Sequence, residues 1–185
     1  PEPFEQVIAD LDRIILPAAT HWNHPGFFAY FAITGSAPGV LMDLVSSALN
    51  QQAMLWRTSP AATELEEVTL RWLARLMHLP DVVEGVIYDT ASISTLHALA
   101  AAREVAVPDV RTKGLAGRDL PRLRVYCSEH AHSSVDKAVI ALGLGHESLR
   151  RIPADDAFSM RIDQLEVAIA DDLVAGIKPI AVVAT

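Results

Sequence analysis

Two short polar stretches hold the side chains that could do chemistry in this sequence. The first is Thr90-Ala91-Ser92, which follows the apolar run Gly85-Val86-Ile87-Tyr88 and leads into residues at helical spacing, Leu96, Leu99, Ala100 and Arg103. A strand that turns through small hydroxyl residues into a helix makes an anion site. The first helical turn has N–H groups with no partner inside the helix, and the positive end of the dipole points the same way. Thr90 and Ser92 add hydroxyl donors, and Ala91 leaves room for a close approach. A phosphate group is the guest that suits this arrangement. A Ser or Thr that only caps the helix is a commoner use of the same residues, so this stretch alone leaves both readings open. The second stretch is Ser128-Glu129-His130-Ala131-His132-Ser133-Ser134. An imidazole offers a flat face and a titratable edge. His130 and His132 also have the spacing of a metal pair, but beyond Glu129 and Cys127 no carboxylate or thiol stands at ligand spacing. A solvated loop residue is the simpler reading of His130.

The elements that must position these residues alternate. From Gly85 the pattern reads strand, helix, strand over 123–127, helix from Val135 to Leu142, strand over 149–152, helix from about Asp163 to Ala175, and a last apolar run to Thr185. Such alternation predicts an α/β fold, a mainly parallel sheet flanked by helices. In that architecture ligands sit beyond the carboxyl ends of the strands, where both polar stretches fall. Before Gly85 the pattern is helical. Phe4, Val7, Ile8, Leu11, Ile14 and Ile15 share one face up to Pro17. Val40, Leu41, Leu44, Val45 and Ala48 are expected on the buried side of a helix that starts at Pro38, after a loop over 32–37. Thr58-Ser59-Pro60 opens another helix, with Leu65, Val68, Trp72, Leu73 and Leu76 as its stripe. Between the first two helices, residues 21–31 hold four of the eight phenylalanines and tyrosines and one of the three tryptophans. A core plug is the ordinary role for such a cluster, and an aromatic-lined pocket is its competitor. Two parts are therefore expected: an N-terminal helical segment with the aromatic loop, 1–84, and an α/β part, 85–185.

Bulk properties narrow the function. The chain has 185 residues, 51% of them hydrophobic, and a net charge of −8, which argues against nucleic acid or an anionic membrane as a partner. The single cysteine, Cys127, excludes a disulfide framework and suits a reducing, cytoplasmic setting. No glycine-rich dinucleotide fingerprint or phosphate-loop motif occurs. Both ends read as cut: the sequence opens on Pro1-Glu2-Pro3 and closes on an apolar strand-like run.

Several segments together resemble the group II pyridoxal-phosphate-dependent decarboxylases, the family of aromatic-L-amino-acid decarboxylase and its bacterial relatives. They are His21-Trp22 with Pro25 and Phe27-Phe28-Ala29-Tyr30-Phe31, Ser59-Pro60-Ala61 with Thr63-Glu64-Leu65-Glu66, Gly85-Val86-Ile87 with Thr90-Ala91-Ser92, Ala131-His132-Ser133-Ser134-Val135 with Lys137-Ala138, and Val182-Val183-Ala184-Thr185. The resemblance implies the large domain of a fold-type I enzyme, incomplete at both ends, with pyridoxal 5'-phosphate (PLP) as cofactor. It also implies a homodimer and loss of carbon dioxide from an aromatic amino acid. It assigns the cofactor phosphate to Ala91 and Ser92 with Thr90 beside them, and stacking on the pyridine ring and approach to the substrate to His132. Trp22, Tyr30 and Phe31 would line the substrate pocket, and the segment from Gln52 to Trp56 would reach the neighbouring subunit.

Departures from the family pattern bound these expectations. The family's Schiff-base lysine, its Gly-Thr stretch after Thr185 and the Asp that pairs with the pyridine nitrogen are not among these residues. Lys137 and Lys178 are poor substitutes, so the chain is expected to be an N-terminal part, inactive alone. Asp89 puts a carboxylate beside the phosphate stretch, and strand alternation would turn it away. Ile33 stands where the animal enzymes have a substrate-contacting Thr. Oxidative deamination to an aldehyde or transamination is the alternative on the same fold, and a non-catalytic phosphate-ligand module the alternative outside it.

Overall fold

A computed structural model describes residues 1–31, 33 and 35–184. Ala32 and Thr34, in the loop expected over 32–37, and Thr185, at the end of the last apolar run, lie outside the described residues. The chain forms two compact units, Pro1–Thr69 and Leu70–Thr185.

The first unit is helical. α1 (Phe4–Asp10) continues through a wider π-helical turn, Leu11–Ile15, into the short α2 (Leu16–Ala18). Pro17 therefore lies inside the helix rather than ending it. Its ring would crowd the Arg13 carbonyl in a regular α-turn, and the wide turn falls just before it. α3 (Ala37–Leu49) is capped by Ser36, whose Oγ accepts from Gly39 N at 3.2 Å, and ends on Asn50 in the left-handed region. α4 (Pro60–Leu76) follows and runs across the boundary into the second unit. Among the described residues of this unit only Ser59 is buried. The side of α3 expected to be buried is open: Leu41 is 58% and Leu44 67% exposed. The spacing specifies which face needs cover, and these residues of one chain do not supply it.

The second unit is built on a three-stranded parallel sheet. It contains α5 (Ala91–Ala106), α6 (Val110–Lys113), β1 (Leu123–Ser128), α7 (Ser134–Ala141), a 3₁₀ turn at His146–Ser148, β2 (Leu149–Ile152), α8 (Ile162–Val174) and β3 (Lys178–Val183). The strand order is β2-β1-β3, with both pairings parallel. The central β1 alternates between two faces. Val125 and Cys127 pack with Leu99 of α5 and Val135, Ala138 and Val139 of α7. Tyr126 packs with Ile152 of β2 and Ala168 of α8 on the other side. The register of β3 slips between Arg124 and Val125, leaving Ile180 without a partner. That slip lets the consecutive residues Ile180 and Ala181 face the same core.

One expected strand is missing. Gly85–Tyr88 is neither helix nor strand and has no ladder partner among the described residues, and Val86 and Ile87 are each 56% exposed. An apolar run signals a demand for cover, whereas a strand needs a neighbour to bond. The alternation argument for Asp89 lapses with it, and Asp89 is exposed.

A buried polar cluster fastens α8 to the sheet. Asp172, 4% exposed, accepts from Tyr126 Oη at 2.7 Å and from Arg124 Nε at 3.1 Å, and Arg150 Nη1 lies 3.3 Å away. Burial pushes the Asp172 carboxyl up, but the tyrosine hydroxyl and the two guanidinium groups together hold it below the ordinary carboxylate range. Burial first, and then the facing carboxylate, raise the Tyr126 phenol.

Candidate functional site

Helix α5 starts on a side-chain cap. Thr90 Oγ1 accepts from Ile93 N at 3.3 Å, and the Thr90 carbonyl takes the amides of Ile93 and Ser94. Those bonds leave the first two amides, Ala91 and Ser92, with no acceptor inside the helix. Both residues are exposed. The start of α5 thus presents two backbone donors, the Ser92 hydroxyl and the unspent Thr90 hydroxyl proton at the positive end of a 16-residue helix. Behind it, Tyr88 stacks on His97 with ring centroids 4.3 Å apart. His97 Nδ1 also donates to the Ile93 carbonyl at 2.9 Å.

The loop after β1 carries His132. Its Nδ1 accepts from Ser134 N at 3.1 Å, so the ring caps α7. A nitrogen that accepts has no proton, which places the neutral ring's proton on the exposed Nε2. The near side of the loop is fastened to β2 and the residues after it: Glu129 N donates to Ile152 O at 2.9 Å, and Glu129 Oε1 accepts from Ala154 N at 2.6 Å. His130 instead meets the edge of Phe158, with centroids 5.4 Å apart.

Three bonds place the two stretches at one end of the second unit. Arg103 Nη1, near the end of α5, donates to the carbonyl of Leu142, just past α7, at 2.9 Å. The two helices therefore end together. Lys178, which opens β3, donates from Nζ to Ala106 O at 2.8 Å and from its amide to Arg122 O, just before β1. The finish of α5 thus lies at the strand beginnings. At about 1.5 Å per residue the helix start lies roughly 24 Å away, at the carboxyl ends of the strands, where β1 delivers the His132 loop. Thr90, Ala91, Ser92 and His132 share that end. Lys178 stands at the opposite one, which removes it as a partner for anything bound there.

Trp22, Tyr30 and Phe31 belong to the first unit. Trp22 stacks on Tyr30 at 5.6 Å, nearly parallel, and on Phe27 at 4.9 Å. The cluster is no core plug: Trp22 is 47%, Tyr30 86% and Phe31 96% exposed. Cys127 is fully buried in β1, and burial pushes its thiol up, so it is no nucleophile.

The sequence reading missed the charged residues around the loop. Arg150 and Arg151 are adjacent in a four-residue strand, and the pleat sends one to each face. Arg150 reaches Ala168 O at 2.9 Å, and Arg151 Nη2 reaches Asp136 Oδ2 at 2.7 Å. Burial raises the Asp136 carboxyl, but bonds from Arg151 and His146 outweigh it and hold it low. Two arginines in so short a strand were the available signal.

A parallel sheet flanked by helices, with the open start of α5 beyond its strand ends, is the architecture of an α/β protein. The chain belongs to the pyridoxal-dependent decarboxylases, whose conserved domain matches residues 1–185. It is 40% identical to the aromatic-L-amino-acid decarboxylase of Cavia porcellus, a match that takes in 100% of this chain and 40% of that protein. With the histidine decarboxylase of Drosophila melanogaster it shares 38% identity, over 100% of this chain and 23% of that protein. Among solved structures, Oryza sativa TDC with PLP and tryptamine superposes with a TM-score of 0.89 at 35% identity, over 98% of this chain and 39% of that one. The chain thus spans about 40% of the length of the aromatic-L-amino-acid decarboxylase it matches.

Proposed function

We propose that this chain is the cofactor-phosphate and ring-stacking part of a PLP-dependent amino-acid decarboxylase that acts on aromatic L-amino acids as a cytoplasmic homodimer. The reading is supported by the direction of α5, whose end lies at the strand beginnings and whose start therefore points to the end of the sheet where β1 delivers the His132 loop, in a chain of the pyridoxal-dependent decarboxylase family. The donor set fits the cofactor: the amides of Ala91 and Ser92 and the hydroxyls of Ser92 and Thr90 suit a phosphate dianion. The exposed His132 ring, with its proton on Nε2, suits a flat aromatic partner and a nearby substrate carboxylate. When bound, PLP supplies an electron sink for the pair left on the substrate α-carbon as carbon dioxide departs. The protein's part is to grip, orient and exclude water. In this reading Trp22, Tyr30 and Phe31, within residues 1–84, are substrate-binding residues, and that part also makes the contact with a second subunit. Residues 85–185 bind the cofactor.

The test uses the full-length protein. Titration with PLP is expected to produce a visible absorption band, and titration with ATP none. With tryptophan, tyrosine or histidine as substrate, carbon dioxide and the amine are the expected products. Release of ammonia with hydrogen peroxide would assign the oxidative reaction instead, and a protein that stays colourless with PLP would overturn the proposal.

A further inference from the structure

We infer that Arg151 and Asp136 are positioning residues that hold His132 in place for the cofactor, an inference that rests on the stacking role proposed for His132. The Arg151 guanidinium spans the loop. Nη1 donates to the carbonyl of Glu129 at 3.1 Å, and Nη2 donates to Asp136 Oδ2 at 2.7 Å. Glu129 precedes His132 and Asp136 follows it, so one rigid planar group ties both sides of the segment that carries the ring. The bonds from Ile152 and Ala154 hold only the near side. Asp136 is held from a second direction, because its Oδ1 accepts from His146 Nε2 at 3.1 Å. The Asp136 side chain is 18% exposed, so the pair is better shielded than an ordinary surface ion pair. Two acceptors set apart in space call for a fork of donors. A lysine at 151 would carry its donors on one nitrogen at the end of a flexible stem, without the fixed planar fork that spans the two acceptors. Asp136 lies in the first turn of α7, the helix that His132 caps, so the brace and the cap act on one short segment.

The experiment compares Arg151→Met, Arg151→Lys, Asp136→Asn and, as a charge-matched control, Arg122→Met, which loses only an exposed pair with Glu147. All are made in the full-length holoenzyme. Amide hydrogen exchange over residues 129–135 is expected to quicken at least about tenfold in Arg151→Met and Asp136→Asn, less in Arg151→Lys, and not in the control. The dichroism of the bound cofactor's visible band should change, its dissociation constant should rise about tenfold, and kcat should fall more than KM rises. Unchanged loop exchange would overturn the clamp. Faster exchange with an unaltered cofactor band and unaltered turnover would overturn its role in positioning the ring. Equal losses in Arg122→Met would mark a general charge effect and also overturn it. A His132→Ala enzyme that binds PLP and turns over like the parent would instead sink the stacking role, and the exchange data would still decide the clamp.

Discussion

Thr90 and Ser92 sit two residues apart and do different work. Thr90 already spends its oxygen as the cap of α5, whereas the amide of Ser92 has no acceptor within the helix and its hydroxyl is not the cap. Thr90→Ala is therefore expected to cost about 1 kcal/mol of stability, read from urea melts. Ser92→Ala should leave the melt within about 0.5 kcal/mol of the parent, because it is an exposed substitution. It should nevertheless weaken PLP binding in the full-length enzyme by roughly tenfold, the worth of one hydrogen bond to a charged group. Equal effects on stability and equal effects on binding would contradict this division. The sequence made both residues visible as candidates. It could not separate cap from ligand, because the choice depends on which amide lies within reach of which hydroxyl.

At the scale of elements, the attachment of α8 to the sheet depends on one carboxylate. Tyr126→Phe removes a hydrogen bond to a buried charge and should cost about 1.5–3 kcal/mol. Asp172→Ala leaves Arg124, 12% exposed, without its carboxylate and should cost about 3–5 kcal/mol, enough to unfold a marginal domain. The pH dependence has a definite sign. The Asp172 carboxyl is held below its ordinary value of 3.8 in the folded chain. Its contribution is therefore complete above about pH 5 and is lost as the pH falls through 3.8 and past the folded value. Asp136 is depressed in the same direction, so both contributions fade together on acidification. Acid titration followed by circular dichroism should show Asp172→Asn losing less stability than the parent between pH 5 and 3. The helices themselves were legible, because apolar spacing and caps are local signals. Two features were not. Gly85–Tyr88 reads as a strand but has no ladder partner among the described residues, and Asp172 is one more helix acid until Arg124 and Tyr126, 48 and 46 residues away in sequence, are placed beside it. Pairing and burial are non-local, and a sequence pattern reports only the demand for them.

For the molecule as a whole, the first unit shows how much cover is still needed. Leu11, Ile15, Val40, Leu44, Met54 and Trp56 are all more than 40% exposed. A second subunit is the cover proposed above, and sedimentation of the full-length protein is expected to give a dimer at micromolar concentration. Leu44→Asp on α3 should shift that equilibrium toward monomer by at least tenfold, because a charge cannot be buried there unpaired. A monomeric parent would contradict the proposed assembly.

The sheet order has a consequence of its own. β2 and β3 are both outer strands, so among the described residues each leaves a rim of amides and carbonyls with no neighbouring strand, and Val182 on β3 is 48% exposed. An open parallel rim is a template on which another copy can lay down a strand. These 185 residues, made by themselves, are therefore expected to clump through strand addition, with rising thioflavin fluorescence and a lag that shortens with concentration. Val182→Lys should lengthen that lag several-fold by placing a charge on the growing face.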